Sequence, residues 1–243
     1  MAAMAPGFAP AAERAAGMNL QILIDNLPYL LWGAFPDGAL GGAALTLLLS
    51  SISSLAAGVL GLLLGITLAL AGGVGHSVLL LVLGFFRAVP VLMLIFWTYF
   101  LLPVAFGIDV PGLVSVACAL SLIGGAYLAH AVHAGIAGIP RGQWQAGLAL
   151  GLSRWQVLRH VILPQSLRMM LPSFINQWVS LIKDSSLAYI VGVPELSFVA
   201  AQVNSRLMVY PAEIFLFVGA IYFIICSGLD ALAGVVSRRF ARQ

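Results

Sequence analysis

A chain of 243 residues that is 62% hydrophobic and only 8% charged lies far below the about 25% charged residues of a soluble domain. That deficit excludes an ordinary water-soluble enzyme and leaves a polytopic membrane protein, with room for five or six spans at roughly 20 residues each. The net charge of +3 is small, and its placement says more. Acids stand at Glu13, Asp25, Asp37, Asp109, Asp184, Glu195, Glu213 and Asp230, with none between Val110 and Lys183, whereas that interval holds Arg141, Arg154, Arg159 and Arg168.

Residues 1–19 are biased to Ala, Pro and Gly. They lack the basic start and apolar core of a signal peptide and read as a mobile tail. Leu20–Trp32 carries Asp25, Asn26 and Pro28. It reads as an interfacial helix with Tyr29 and Trp32 at headgroup level, and with a turn-rich loop it makes up residues 20–40. Span one is Gly42–Ala71, with Gly58, Gly61 and Gly65 placed to let another helix approach closely. Gly72, Gly73 and Gly75 break it. Span two is Ser77–Leu102, containing Arg87 and Pro90, and it leads into a loop bearing Asp109. Span three is Leu113–Val132. Span four begins near Met169 and is interrupted by Pro172, Asn176, Gln177, Lys183 and Asp184. Gly192–Pro211 reads as a loop, span five as Ala212–Val235, and residues 236–243 as a basic tail.

Short basic loops stay in the cytoplasm. Five spans with a cytoplasmic C-terminus and an external N-terminus put seven of the eleven basic residues inside: Arg141, Arg154, Arg159, Arg168, Arg238, Arg239 and Arg242. The basic segment is hemmed in by membrane spans, so nucleic acid is not an expected partner. Cys118 and Cys226 lie in spans and read as small apolar residues.

Lys183 is the one lysine, so the phosphate-cradling motif G-x-x-x-x-G-K-[ST] is absent and the chain is not expected to hydrolyse ATP. No HExxH or GxSxG occurs. His130 and His133 share a helix face, but a metal site needs three or four ligands, and none is expected. Between spans three and four, residues 135–168 form a distinct unit. Pro140 starts a helix in which Trp144, Leu148 and Leu152 recur every four residues. Gly151 stops it. Ser153 caps a second helix, Arg154–Leu163, and Pro164 limits its continuation. An apolar stripe on such a helix needs a protein or lipid partner.

Arg87 lies about ten residues into span two. A mid-membrane Arg is costly and marks a functional site by default. It can hold a substrate carboxylate bidentately, pair with Asp184, or cap carbonyls on a bent helix. The polar residues of span four either line a pathway or join helices, since open lipid exposure would be unfavourable.

The two-helix elbow within residues 135–168 resembles the cytoplasmic loop of membrane permeases of ATP-binding-cassette importers. That family's pattern is Glu-Ala-Ala, three residues, Gly, nine residues, Ile, one residue, Leu-Pro. Here it reads Gln145-Ala146-Gly147, Gly151, Val161 and Leu163-Pro164, with matching spacing. Gln145 stands for the family's Glu, Gly147 for Ala and Val161 for Ile. Phe86-Arg87-Ala88-Val89-Pro90 is similar to the Phe-Arg-Gly-Thr-Pro run of polar amino-acid permeases. Lys183-Asp184-Ser185-Ser186-Leu187 with Gly192-Val193-Pro194-Glu195-Leu196 resembles their later motif, and Gly42 with Thr46 the start of their domain. The match covers about residues 41–235. Arg87, Pro90, Met93, Trp97, Tyr99 and Pro103 look most like the glutamate/aspartate branch.

The resemblance implies an all-α importer type I permease domain over 41–235 in the bacterial inner membrane. It implies two such permeases, identical or paired, two separate ATPase subunits carrying ATP and Mg, and an external binding protein. It places ATPase docking on Gln145, Ala146, Gly147, Leu148, Gly151 and Leu152. Arg87, Pro90, Asn176, Gln177, Lys183, Asp184 and Ser185 are the candidate substrate pathway. Rival readings are another cargo, such as a basic amino acid or an opine; a self-sufficient channel or ion-coupled transporter, against which stands the lack of a visible repeat; and a purely structural membrane subunit.

Overall fold

The computed structural model describes residues 20–208 and 210–241, so the expected N-terminal tail, 1–19, lies outside the described residues. The described chain is helical apart from two isolated β-bridges, Gly33 with Leu40 and Gly42 with Glu195. The helices are α1, Leu20–Trp32; α2, Gly42–Leu70; α3, Gly73–Ala88; α4, Val91–Phe106; and α5, Gly112–Ala137. After these come α6, Arg141–Ala149; α7, residues 154–184; a 3-10 turn, Ser185–Val191; α8, Leu196–Leu207; and α9, Pro211–Ala241.

By length and apolarity α2, α5 and α9 are able to cross a membrane, and α3 with α4 adds a fourth span if the bent pair is counted as one. The polar residues of α7 keep it out of that group. The five expected spans are therefore three apolar helices, one bent pair and one polar helix. Much of their apolar surface faces outward: Leu55 is 73% exposed, Leu81 75% and Phe223 72%, as lipid- or partner-facing positions require.

Three sequence expectations are corrected. Span two is not one helix, because α3 and α4 meet at a 98° bend. Val89 is extended, as a residue before proline tends to be, and Pro90 is extended with it (ψ 131° and 138°). Apart from Arg87, the run is apolar across a backbone that is broken. Second, the expected loop Gly192–Pro211 contains α8, capped by Glu195. Third, Pro164 does not end the second elbow helix. A π turn over Leu158–Ile162, whose wider hydrogen-bonding spacing accommodates the missing donor, carries α7 through to Asp184. The expected basic tail continues α9 as helix to Ala241.

The centre of the fold is α2 against α5. They run parallel, Ser53 opposite Ser121 and Ala57 opposite Gly124, followed by Gly61 opposite Gly125 and Leu128, then Gly65 opposite Ala129 and Val132. A Cβ added at Gly61 would lie 2.5 Å from Leu128 Cβ, and one at Gly65 2.5 Å from Val132 Cβ and 2.7 Å from the Ala129 carbonyl oxygen. These glycines set the helix separation, the role expected of small residues where lipid provides no hydrophobic drive. Around the pair, Leu45, Leu49, Leu94, Ile95, Leu120, Ile123 and Leu181 form one buried cluster. A second cluster joins α1, α8 and α9 through Leu30, Leu196, Val199, Ile214 and Val218.

Candidate functional site

The elbow is built by its caps. Pro140 precedes α6, where its lack of an N–H costs nothing. Gly151 takes φ +80°, a conformation that favours glycine. Its N–H donates to Leu148 O at 3.0 Å and that of Leu152 to Gly147 O at 3.2 Å, closing the helix end. Ser153 then forms a complete capping box with Gln156: Gln156 N–H donates to Ser153 Oγ at 3.3 Å and Ser153 N–H to Gln156 Oε1 at 2.7 Å. The two helices close on each other through Gly147, which is buried against Val157, and Trp144 and Leu152 pack beside Val157, Leu158 and Ile162.

The six expected docking residues therefore divide. Gln145, Ala146, Leu148 and Gly151 are exposed; Gly147 is buried and Leu152 half-buried, so both serve the elbow's own packing. Leu150, 81% exposed, and Trp155, 52% exposed, extend the open apolar surface and were not singled out from sequence. The Gly147 departure from the family's Ala has a local cause: a Cβ there would lie 2.7 Å from Val157 Cγ2.

The second feature is a polar cavity of about 580 Å³ at the α3–α4 bend. It brings together Arg87, Pro90, Gln177, Lys183 and Asp184 from the expected pathway, and adds Tyr127 and Ser180. Asn176 and Ser185 do not line it. Asn176 is exposed elsewhere, and Ser185 is buried with its hydroxyl donating to Ile182 O at 2.8 Å. The Arg87 guanidinium sits over the Tyr127 ring, 5.0 Å from its centroid. That contact holds one guanidinium face and leaves its donor edge available. Arg87 also lies in the last turn of α3, where a cation is favoured by the helix dipole. His133 faces His76, ring centroids 5.9 Å apart, rather than pairing with His130. Among the described residues no three His, Cys, Asp or Glu side chains converge as a metal site.

Sequence reasoning missed a third cluster. Glu195 is fully buried. Its carboxylate accepts from Ser197 N–H, Phe198 N–H and Tyr222 Oη–H, each at 2.9 Å. Burial pushes this carboxyl up to about 7, partly opposed by those hydrogen bonds. The findable signal was Leu196, Val199, Ala200 and Val203 at helical spacing after a capping acid.

Long apolar helices, a polar bend among them and a self-capped two-helix elbow define a helical membrane protein. The chain belongs to the family of binding-protein-dependent transport system inner membrane components, whose model matches residues 61–242. It is therefore a multi-pass inner-membrane permease; members of this family are transport subunits, with ATP hydrolysis on separate subunits. It is 32% identical over 223 residues to the probable amino-acid ABC transporter permease protein YckA of Bacillus subtilis, covering 92% of this chain and 94% of that one. It is 34% identical over 213 residues to the glutamine transport system permease protein GlnP of Escherichia coli K12, covering 86% and 95%. It is 34% identical over 164 residues to the glutamate/aspartate import permease protein GltK of Escherichia coli O157:H7, covering 64% and 72%. The fold matches a solved amino acid ABC transporter with histidines at TM-score 0.79 and 24% identity, covering 91% of this chain and 98% of that one.

Proposed function

We propose that this chain forms half of the membrane pathway of an ATP-driven importer for a polar amino acid, with glutamate or aspartate as cargo. The observation that carries the cargo reading is the cavity at the bend. Arg87 and Lys183 both line it with Asp184 as the sole acid, and Gln177, Ser180 and Tyr127 supply neutral hydrogen-bonding groups. An acidic amino acid brings one net negative charge and neutralises that balance. A basic one would double the excess and set like charges side by side in one cavity, where they repel. Arg87 meets a carboxylate bidentately and Asp184 meets the α-ammonium.

A second permease, identical or related, completes the pathway, and an external binding protein delivers the cargo. Two ATPase subunits, which carry ATP and Mg, dock on Gln145, Ala146, Leu148 and Gly151. The capped elbow is continuous with α7, so closure of the ATPases passes to Gln177, Ser180, Lys183 and Asp184 as rigid-body motion. A glutamine cargo is the second reading, favoured by the longer alignment with the glutamine permease than with the glutamate/aspartate one.

The test is uptake into proteoliposomes containing the complete assembly, with labelled glutamate, aspartate, glutamine and arginine. The proposal expects glutamate or aspartate to be carried and Arg87→Gln to abolish that selectively. Arginine as the preferred cargo would overturn the charge argument.

A further inference from the structure

The Glu195 cluster joins three parts of the fold that share no other polar side-chain junction of this kind among the described residues. The Pro194–Ser197 turn is pinned to the first turn of α2: Gly42 N–H donates to Pro194 O at 2.9 Å, and Leu196 N–H to Thr46 Oγ1 at 3.0 Å. Glu195 then does two separable things. It caps α8 through the Ser197 and Phe198 amides, and it reaches across to α9 through Tyr222. Ser197 Oγ adds a contact to Tyr222 Oη at 3.2 Å. Among the described residues no cation offsets the carboxylate, and Tyr222 is the one titratable group touching it. Tyr29 on α1 and Arg206 on α8 face each other at least two turns further along α8.

Capping alone does not call for this arrangement. An exposed Ser, Asp or Asn caps as well, without the desolvation of a buried carboxylate. What burial adds is the link to α9. α8 carries Gln202, Ser205 and Arg206, which with Tyr189 of the 3-10 turn line a cavity of about 400 Å³, on the side assigned to the exterior by the positive-inside reading.

We propose that Glu195 is a positioning residue for transport: through Tyr222 it clamps α8 to the last span, so that the outer face of α8 is held in register to receive the cargo-loaded binding protein. The proposal rests on the importer reading above. Glu195→Asp separates the two roles, since Asp remains a good cap while its side chain is shorter by one carbon–carbon bond of about 1.5 Å and falls short of Tyr222. Tyr222→Phe removes the same bond from the other side.

The experiment measures ATP-driven glutamate uptake in proteoliposomes holding the full assembly, titrated with glutamate-loaded binding protein. Both variants are expected to raise the half-saturating binding-protein concentration by about five-fold, the size of one lost hydrogen bond, with maximal rate and amount of assembled protein unchanged. Unchanged half-saturation in both variants overturns the proposal. So does a fall in maximal rate that tracks protein amount, the mark of a fold contact alone. A second arm needs no partners: thermal unfolding of the chain in detergent for the two variants and the double variant. Non-additive losses are expected, and additive ones overturn the clamp. Non-additivity together with no binding-protein-dependent uptake by the unaltered assembly refutes the importer reading itself, and with it the positioning role, leaving a contact of the fold.

Discussion

Replacing Gly65 by Ala tests the helix pair at the centre of the fold. The new Cβ would stand 2.5 Å from Val132 Cβ, 2.6 Å from Val132 Cγ1 and 2.7 Å from Ala129 O, against about 3.5–4.0 Å for optimal carbon contacts. Two of these atoms belong to a β-branched side chain with little rotamer freedom in a helix, and the third is backbone, so α2 and α5 must separate by roughly 1 Å. A gap of that size forfeits a quarter to a half of each contact along the pair. Overpacking of this kind costs about 1–3 kcal/mol, offset by about 1 kcal/mol of helix propensity gained by Ala. The net loss of about 0–2 kcal/mol corresponds to a Tm lower by up to roughly 8 °C. The control is Gly84→Ala on α3, where nothing lies within 4 Å and stability should hold or rise. Thermal unfolding of the two purified variants in the same detergent reads the difference. Gly65→Ala matching or exceeding Gly84→Ala in stability would refute the close-packing argument.

Gly147→Ala should loosen the elbow against Val157, lowering ATP-driven uptake, and Val157→Ala added to it should restore part of the loss; a double variant as impaired as the sum of the singles would contradict the contact. Gly151→Asp places a side chain at φ +80° and a charge on the docking surface, so uptake should be uncoupled while the protein still inserts; normal uptake counts against docking there. The Glu195 carboxyl stands at about 7 when folded against about 4.3 in an unfolded chain. Its contribution is therefore full below about pH 4.3 and is lost as pH rises through 7, by roughly 4 kcal/mol in all. Unfolding measured from pH 4 to 8 should show that extra decline in the unaltered chain and not in Glu195→Gln; parallel profiles would contradict it.

Much of this was legible in the chain because it is local. Leu20–Trp32 is a helix as read, Gly72 and Gly73 break the first span, and Pro140, Gly151 and Ser153 each do what their backbone chemistry predicts. The bend at Pro90 was hidden because apolar residues on both sides of Arg87 and Pro90 together make a run long enough for one span. The π turn was hidden because Pro164 locally favours a stop, and only the longer span of α7 rewards continuing. α8 was masked by Gln202, Asn204, Ser205 and Arg206, which made an amphipathic helix look like a loop. In the cavity, Arg87, Gln177, Lys183 and Asp184 were visible as polar residues in apolar runs, and Pro90 as a helix breaker within one. Tyr127 and Ser180 are ordinary in a helix and gain meaning only where α3, α5 and α7 meet. Glu195 was hidden for the same reason, since its partner Tyr222 is 27 residues away.

The central claim is that this permease moves its cargo only when separate ATPase subunits act through the elbow. It is tested most directly by labelled glutamate uptake into proteoliposomes containing the permease, with and without its ATPase subunits, in the presence of binding protein and Mg-ATP. The account predicts uptake only with the ATPase present, and its loss in Gly151→Asp. Equal uptake by the permease alone would contradict it.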